Sequence, residues 1–190
     1  MNVYDFDGTI YEGDSGIDFI KFAFGKKPFR VSWQIVKSIP LFILYKMKKV
    51  PFKIMKESLF AFVKYFDDLS VITTEFAEKR KNKIKKYYAK TRREDDVIVS
   101  ASLDFYLLPL CQEIGLKQVI CTKYDVKNGK IVGENCKKEE KVKRLEQEYG
   151  KDCVVENAYG DSKSDYPILK RAQNGYLVVG EDLVDFVDNS

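Results

Sequence analysis

The sequence predicts an α/β protein: a three-layer core with a parallel sheet, interrupted by a long helical insertion. Three observations predict this class. Short apolar runs typical of buried strands occur at the start of the chain and again after residue 96, where helical segments separate them. The intervening residues are rich in phenylalanine and lysine and show no period-two alternation. Charge divides the chain in the same way, because residues 15–93 carry 20 basic and 6 acidic residues and the remainder carries 13 and 23.

The first strand is expected over residues 3–6, and helices are expected from there to about Arg93. Pro40 and Pro51 should interrupt or start helices within that stretch. Ser70 is a candidate N-cap for a helix that reaches about residue 88.

After residue 93 strands and helices alternate. "DDVIVSAS" and "KQVICTKYDV" predict strands, and a small hairpin is expected around Asn128 and Gly129. A charged helix should end at Gly150, and "CVVENAYGDS" and "GYLVVG" predict two more strands. This alternation favours a parallel sheet between two helical layers. We therefore expect a discontinuous core, residues 1–14 and 94–190, and a helical unit of residues 15–93.

The chain contains no histidine, which excludes Ser-His-Asp and Cys-His catalysis and every histidine-ligated metal site. Carboxylates would have to transfer protons, and a metal ion would be held by oxygen ligands. The four cysteines form no CxxC pair and no targeting segment is evident, so reduced thiols and a cytoplasmic location are expected.

Chemically active side chains follow the ends of the predicted strands. Asp5 and Asp7 alternate with Phe6 and therefore point to the same side of the first strand. Two carboxylates held so close require a cation or a shared proton. The strand "VIVS" ends at Ser100, and Asp161 and Asp165 follow the strand before the last. Functional residues of parallel sheets gather at such carboxyl ends, so these groups are expected in one site.

The motifs "DFDGT", "VIVSAS", "EEKVKRL" and "YGDSKSD" occur in this order along the chain. In this they resemble the four motifs of the haloacid dehalogenase superfamily, and the resemblance spans nearly the whole chain. It implies a Rossmann-like core with an inserted cap of the C1 type. The helical cap of about 75 residues is similar to that of the subfamily that includes phosphoserine phosphatase.

The resemblance also implies the roles of individual residues. Asp5 would be the nucleophile that forms an aspartyl-phosphate, and Asp7 the general acid and base. Mg²⁺ would be bound by Asp5, the Asp7 carbonyl and Asp161, with Asp165 supporting the metal site or orienting the lysine. The remaining implied residues bind phosphate: Gly8, Thr9, Ser100, Ala101 and Lys141. Lys137 and Lys138 remain alternatives to Lys141, and Asp165 could be only a helix N-terminal acid.

The resemblance weakens where substrates are selected. Phosphoserine phosphatases carry glutamate nine residues after the nucleophile, whereas this chain has Asp14. The expected activity is therefore Mg²⁺-dependent hydrolysis of a phosphomonoester, either a small phosphorylated metabolite or a phospholipid-type compound.

The basic cap permits two interpretations. The simpler one is an amphipathic lid that packs its apolar face inward and leaves its lysines in water. The other is a cap that meets a large anionic substrate, with peripheral membrane contact. A non-catalytic module that binds membrane or nucleic acid through this cap is the alternative to an enzyme. No nucleic-acid-binding fold is recognisable, so nucleic acid is not the expected partner. The sequence predicts no oligomeric state.

Overall fold

The computed structural model describes residues 1–188. Its strands are β1 (Asn2–Tyr4), β2 (Val97–Leu103), β3 (Gln118–Thr122), β4 (Tyr124–Asp125), β5 (Lys130–Ile131), β6 (Asn157–Gly160), β7 (Asn174–Val179) and β8 (Asp182–Asp185). Its α-helices are α1 (Ser15–Lys26), α2 (Pro28–Lys46), α3 (Phe52–Phe60), α4 (Leu69–Arg80), α5 (Lys86–Thr91), α6 (Asp104–Glu113), α7 (Glu139–Tyr149) and α8 (Tyr166–Arg171).

The main sheet has the order β3-β2-β1-β6-β7-β8. Its first five strands are parallel, and β8 pairs with β7 in the antiparallel sense. The central strand β1 has three residues, and all three are buried between the helical layers. The α/β class and the mainly parallel sheet are thus confirmed, and β4 and β5 form the expected small hairpin.

Strand β1 ends at Tyr4 rather than residue 6, β2 continues past Ser100 to Leu103, and β8 was not predicted. Two helices of the cap also differ from the prediction. The helix expected from Ser70 to about residue 88 begins at Leu69, with Asp68 as N-cap, and ends at Arg80. The Asp68 carboxylate accepts hydrogen bonds from the backbone N–H groups of Ser70 and Val71. Ser70 therefore lies in the first turn of the helix and is not its N-cap. Pro40 lies inside α2 rather than ending it, and Pro51 is the N-cap of α3 as expected.

The helical insertion between β1 and β2 is confirmed, and it packs directly on the core through aromatic rings. Phe19 of α1 stacks on Tyr106 of α6 with ring centroids 5.3 Å apart, and Phe60 of α3 stacks on the same tyrosine at 5.8 Å. Phe76 of α4 meets Phe19 edge-on at 5.2 Å. Cap and core therefore share one hydrophobic cluster.

The division into two units at residues 14/15 and 93/94 remains a prediction, and its last two residues, 189 and 190, lie outside the described part of the chain. Within residues 1–188, every helix is too short or too polar to cross a bilayer.

Candidate active site

A tightly bonded loop carries Asp5 and Asp7 out of the central strand. The Asp5 N–H donates to the carbonyl of Tyr159 on β6, 2.9 Å away, and so continues the parallel ladder. Beyond Asp7 the chain turns back, because the Gly8 N–H is shared between the carbonyls of Tyr11 and Gly13 at 3.0 and 2.8 Å. The loop is therefore held by backbone bonds, and both carboxylates line the same cavity.

Lys141, near the start of α7, is the lysine that meets these carboxylates. Its Nζ donates to Asp5 Oδ1 at 2.5 Å and to Asp165 Oδ1 at 2.7 Å, and the residue is 1% exposed. Two carboxylates outweigh burial and raise the pKa of Lys141, so the ammonium stays charged. Lys138 is exposed with a positive φ, and Lys137 is exposed at the rim. The geometry thus favours Lys141 among the three.

Burial has the opposite effect on the aspartates. It raises the pKa of Asp5, although Lys141 acts to lower it. It also raises the pKa of Asp7, whose Oδ1 accepts from the Ser15 N–H at 2.6 Å and whose Oδ2 accepts from the Ser102 hydroxyl. A raised pKa favours the protonated form of Asp7, which can donate a proton, and an ionised Asp5 is stabilised by positive charge beside it.

The acidic groups of this site fit a hard cation. Carboxylate oxygens of Asp5, Asp161 and Asp165 lie within 4.8 Å of one another. All are oxygen donors, which Mg²⁺ prefers. Asp165 is already bonded to Lys141 and to the N–H and hydroxyl of Ser162, so Asp5 and Asp161 are the freer ligands. The carboxylates of Asp5 and Asp161 thus fit the hard ion that the resemblance implies, and binding of that ion by the Asp7 carbonyl remains a prediction.

The other predicted phosphate-binding residues fall into two groups. Ser100 and Ala101 line the cavity; the Ser100 hydroxyl accepts from the Ser102 N–H at 3.1 Å. Gly8 adjoins Asp161 so closely that a Cβ there would lie 2.0 Å from a carboxylate oxygen. Thr9 is fully buried, and within residues 1–188 its hydroxyl has no hydrogen-bond partner. Neither Gly8 nor Thr9 is among the residues that line the cavity.

The cavity has a volume of about 400 Å³ and lies between core and cap. The core supplies the polar floor already described. The cap supplies a mostly apolar wall, formed by Ile17, Ile20, Phe52, Met55, Leu59 and Phe60. Asp14, at the position where phosphoserine phosphatases carry glutamate, also lines it, but its carboxylate caps α1 by accepting from the Ile17 N–H at 2.8 Å.

Lys56 of α3 also lines the cavity, although the sequence did not identify it as a site residue. It is 7% exposed, and its Nζ donates to the Ala101 carbonyl at 2.6 Å and to Asn135 Oδ1 at 3.2 Å. Burial lowers its pKa to about 8, against the raising effect of Asp7. Nothing in the sequence distinguishes this lysine from the other cap lysines, because its burial depends on how α3 packs over β2.

Known proteins resemble this chain over most of its length. The protein CicA of Caulobacter vibrioides is 27% identical over 190 residues, covering 92% of this chain and 84% of its own. A Bordetella pertussis protein of unknown function has a similar structure, with a TM-score of 0.74 and 18% identity over 92% of this chain and 87% of its own.

Two further solved structures share the fold. A phosphoserine phosphohydrolase-like protein from Francisella tularensis gives a TM-score of 0.52 at 17% identity, covering 92% of this chain and 86% of its own. A substrate-bound phosphoserine phosphatase gives 0.54 at 18%, covering 91% and 82%. The sequence profile of haloacid dehalogenase-like hydrolases matches residues 3–170. This match, together with the fold, shows that the chain belongs to the haloacid dehalogenase-like hydrolase family.

Proposed function

We propose that this protein hydrolyses phosphomonoesters, with Asp5 as the nucleophile. The observation that carries the proposal is the position of the Asp5 carboxylate. It lies on the floor of a cavity, bonded to Lys141, whose pKa is raised, beside Asp7 and within reach of Asp161. This arrangement suits attack on an electrophile that already bears negative charge, because Lys141 offsets charge that accumulates near the attacking oxygen.

In the first step an Asp5 carboxylate oxygen attacks phosphorus, and the bond from phosphorus to the alcohol oxygen breaks. The product is an aspartyl-phosphate, and the leaving alcohol takes a proton from Asp7. The Ser15 N–H and the Ser102 hydroxyl hold the Asp7 carboxyl group in place during this transfer.

In the second step Asp7, now ionised, removes a proton from water, which attacks phosphorus and releases phosphate and the Asp5 carboxylate. The hydroxyl of Ser100 and the Ala101 backbone, both within β2 and lining the cavity, would contact phosphate oxygens. Mg²⁺, held by Asp5, the Asp7 carbonyl and Asp161, would supply the positive charge that two phosphate oxygens require.

The cavity favours a substrate whose phosphate is attached to a partly apolar group. The phosphate would occupy the floor, and the rest of the molecule would meet the apolar wall of α1 and α3. Lys56 would then meet a second anionic or polar group of the substrate. A small phosphorylated metabolite and a phospholipid-type phosphomonoester both fit this description. The phosphoserine phosphatases of similar fold favour the first, whereas the many apolar wall residues favour the second.

The alternative is a module that binds anions through its cap without catalysis. The carboxylates at the ends of β1 and β6 argue against it, because their negative charge opposes anion binding unless a metal ion and a reaction require them.

A panel of phosphorylated metabolites and phospholipid phosphomonoesters, assayed with purified protein and Mg²⁺, tests the proposal. The wild type should hydrolyse at least one compound, and p-nitrophenyl phosphate more slowly. Asp5→Asn should retain the thermal melting curve and lose hydrolysis by at least about a thousandfold. A folded wild type that hydrolyses no monoester, or an Asp5→Asn variant with near wild-type rates, would reject it.

A further inference from the structure

Helix α2 of the cap buries polar side chains and exposes large apolar ones. Its buried residues are Val31, Gln34 and Ser38, two of which are polar. These polar groups are satisfied inside the cap, because Gln34 Nε2 donates to the Ser58 carbonyl at 2.8 Å and the Ser38 hydroxyl bonds to that of Ser58 at 2.9 Å. The inward face of α2 is therefore mixed: Val31 packs in the hydrophobic cluster, whereas Gln34 and Ser38 make polar contacts with α3.

The outward face of α2 is apolar. A row of residues spaced three or four apart, and hence on one side of the helix, is exposed: Phe29, Trp33, Val36, Pro40, Ile43 and Met47. Phe29 is 89% exposed and Trp33 56%. Single exposed apolar residues are common on proteins, but a continuous row along 19 residues of helix is not. This row is called the outer face below.

The chain segment that contains the outer face carries no acidic residue. Residues 19–56 contain ten lysines and arginines and no acidic residue. Five of the ten lie on α2 or the turn after it: Arg30, Lys37, Lys46, Lys48 and Lys49. In the described part of the chain none of these five forms an ion pair. Lys37 and Lys46 instead lie over rings of the exposed helix, at 5.1 Å from Trp33 and 5.4 Å from Phe42.

The other basic segment of the cap is different, because its charges are largely neutralised within the protein. Lys79 pairs with Glu75 at 2.9 Å, and Lys81 with Glu113 at 2.6 Å. Lys83 pairs with Asp18 at 2.6 Å. Uncompensated positive charge is therefore concentrated beside the outer face of α2.

We propose that the outer face of α2 docks the protein on the surface of a bilayer that contains anionic lipids. Insertion of the exposed apolar row between the headgroups and the acyl chains is favourable because it removes apolar surface from water. The flanking lysines would then contact lipid phosphates. The helix lies in the plane of that surface, since it is not apolar enough to cross it. A second copy of the chain fits less well, because two acid-free segments would face each other across the contact.

Trp33 makes this surface directly observable, because it is the only tryptophan in the chain. Vesicles of phosphatidylcholine and phosphatidylglycerol in equal amounts should shift its emission to shorter wavelength. Brominated acyl chains in the same vesicles should quench it. Vesicles of phosphatidylcholine alone should bind at least about tenfold more weakly, and salt should weaken binding to the anionic vesicles.

Two variant pairs separate the contributions of the outer face and of charge. Phe29→Asp with Ile43→Asp retains Trp33 and should abolish the spectral shift, whereas the matched exposed pair Val71→Asp with Val154→Asp should not. Lys46→Gln with Lys49→Gln should weaken binding several-fold, whereas Lys117→Gln with Lys127→Gln, exposed elsewhere, should have little effect. All four should melt like the wild type and hydrolyse p-nitrophenyl phosphate at its rate.

An unshifted Trp33 spectrum with anionic vesicles would overturn the proposal, as would equal binding by Phe29→Asp with Ile43→Asp. Sedimentation equilibrium without lipid supplies the remaining outcome. A monomer is expected, whereas a dimer that the same aspartate pair dissociates would identify a second copy as the occupant of this face.

Discussion

Asp7 is the residue whose role is most open to direct kinetic measurement. It is buried beside Ser102 and Ser15, and burial raises its pKa. Asp7→Asn keeps the shape but removes the proton donor. Hydrolysis of an alkyl phosphate should fall by about a hundred- to ten-thousandfold, and p-nitrophenyl phosphate should be affected much less in the first step because its leaving group needs no proton.

Single-turnover release of the two alcohols measures this difference. The control is Asp7→Glu, which retains an acid and should recover part of the alkyl phosphate rate. Equal losses for both substrates in Asp7→Asn would assign Asp7 a structural role instead.

The lowered pKa of Lys56 predicts that kcat/KM depends on pH. Its pKa is lowered to about 8 by burial, so its ammonium is present below that pH and lost above it. If it binds an anionic group of the substrate, kcat/KM should decline as pH rises through about 8. Stability should change in the opposite sense: the folded pKa lies below the ordinary 10.5, so the folding contribution of Lys56 rises between about pH 8 and 10.5.

The titration of Lys56 therefore stabilises the fold in the pH range where kcat/KM should decline, so loss of folding through this group does not explain the decline. Lys56→Arg should retain its charge and remain flat through that range, and Lys56→Met should be uniformly weak. A wild-type profile that is flat from pH 7 to 9 for the best substrate would remove Lys56 from binding.

Site residues could be predicted from the sequence where they belong to a motif of fixed spacing at the end of a strand. Asp5, Asp7, Ser100, Lys141 and Asp161 were selected this way, and the fold brings them together. Lys56 was not, because it belongs to a helix whose orientation is set by tertiary packing. Surface and buried lysines look alike in such a helix.

Because Gly8 has no side chain, the loop after β1 can approach Asp161 at the end of β6 closely. It has a φ of +75°, and a Cβ would lie 2.0 Å from Asp161 Oδ2. Gly8→Ala should therefore displace Asp161, weaken Mg²⁺ binding by at least about tenfold, and destabilise the fold by about 1–3 kcal/mol.

Gly13→Ala is the matched control. Gly13 has a similar φ of +89°, but its Cβ would meet nothing within 4 Å. Both variants should lose similar stability from backbone strain, and only Gly8→Ala should lose metal affinity by calorimetric titration. Unchanged affinity in Gly8→Ala would show that Asp161 accommodates the methyl group or does not bind the metal.

At the level of elements, the parallel strands were predictable and the edges were not. β8 follows β7 across a tight turn, and all four of its residues are exposed, so no apolar alternation marked it. The break between α4 and α5 was missed because helical composition continues through it. The Lys85 N–H bonds instead to the Ile10 carbonyl of the core, which ends the helical pattern.

At the scale of the whole molecule, the proposed Mg²⁺ would balance the negative charge of the acidic groups in the site. Without it, Lys141 is the cation that pairs with Asp5 and Asp165, and Asp161 forms no ion pair within residues 1–188. EDTA should abolish hydrolysis and lower the melting temperature by a few degrees, and Mg²⁺ should restore both. Ca²⁺ should restore the melting temperature but not turnover, because its looser geometry does not position the phosphate. Full turnover after chelation and dialysis would contradict the metal assignment.

The division of the chain into an acidic core and a basic cap was visible in the sequence, but the orientation of the cap was not. Periodicity in α2 indicated an amphipathic helix and did not show which face turns inward. The expected lid would bury its apolar face, whereas the structure buries Gln34 and Ser38 and exposes Trp33. Periodicity alone cannot show which face of a helix is buried, because the period is the same in either orientation.

In the proposed reaction the phosphoryl group is transferred to Asp5, and water then releases it as phosphate. The direct measurement uses Asp7→Asn with p-nitrophenyl phosphate and Mg²⁺, because this variant should form the intermediate readily and hydrolyse it slowly. Acid quenching followed by borohydride reduction converts an aspartyl-phosphate to homoserine, and peptide mass spectrometry locates it. The account predicts homoserine at position 5 and none in the Asp5→Asn, Asp7→Asn double variant. Burst release of p-nitrophenol without homoserine at position 5, or with homoserine at another aspartate, would contradict it.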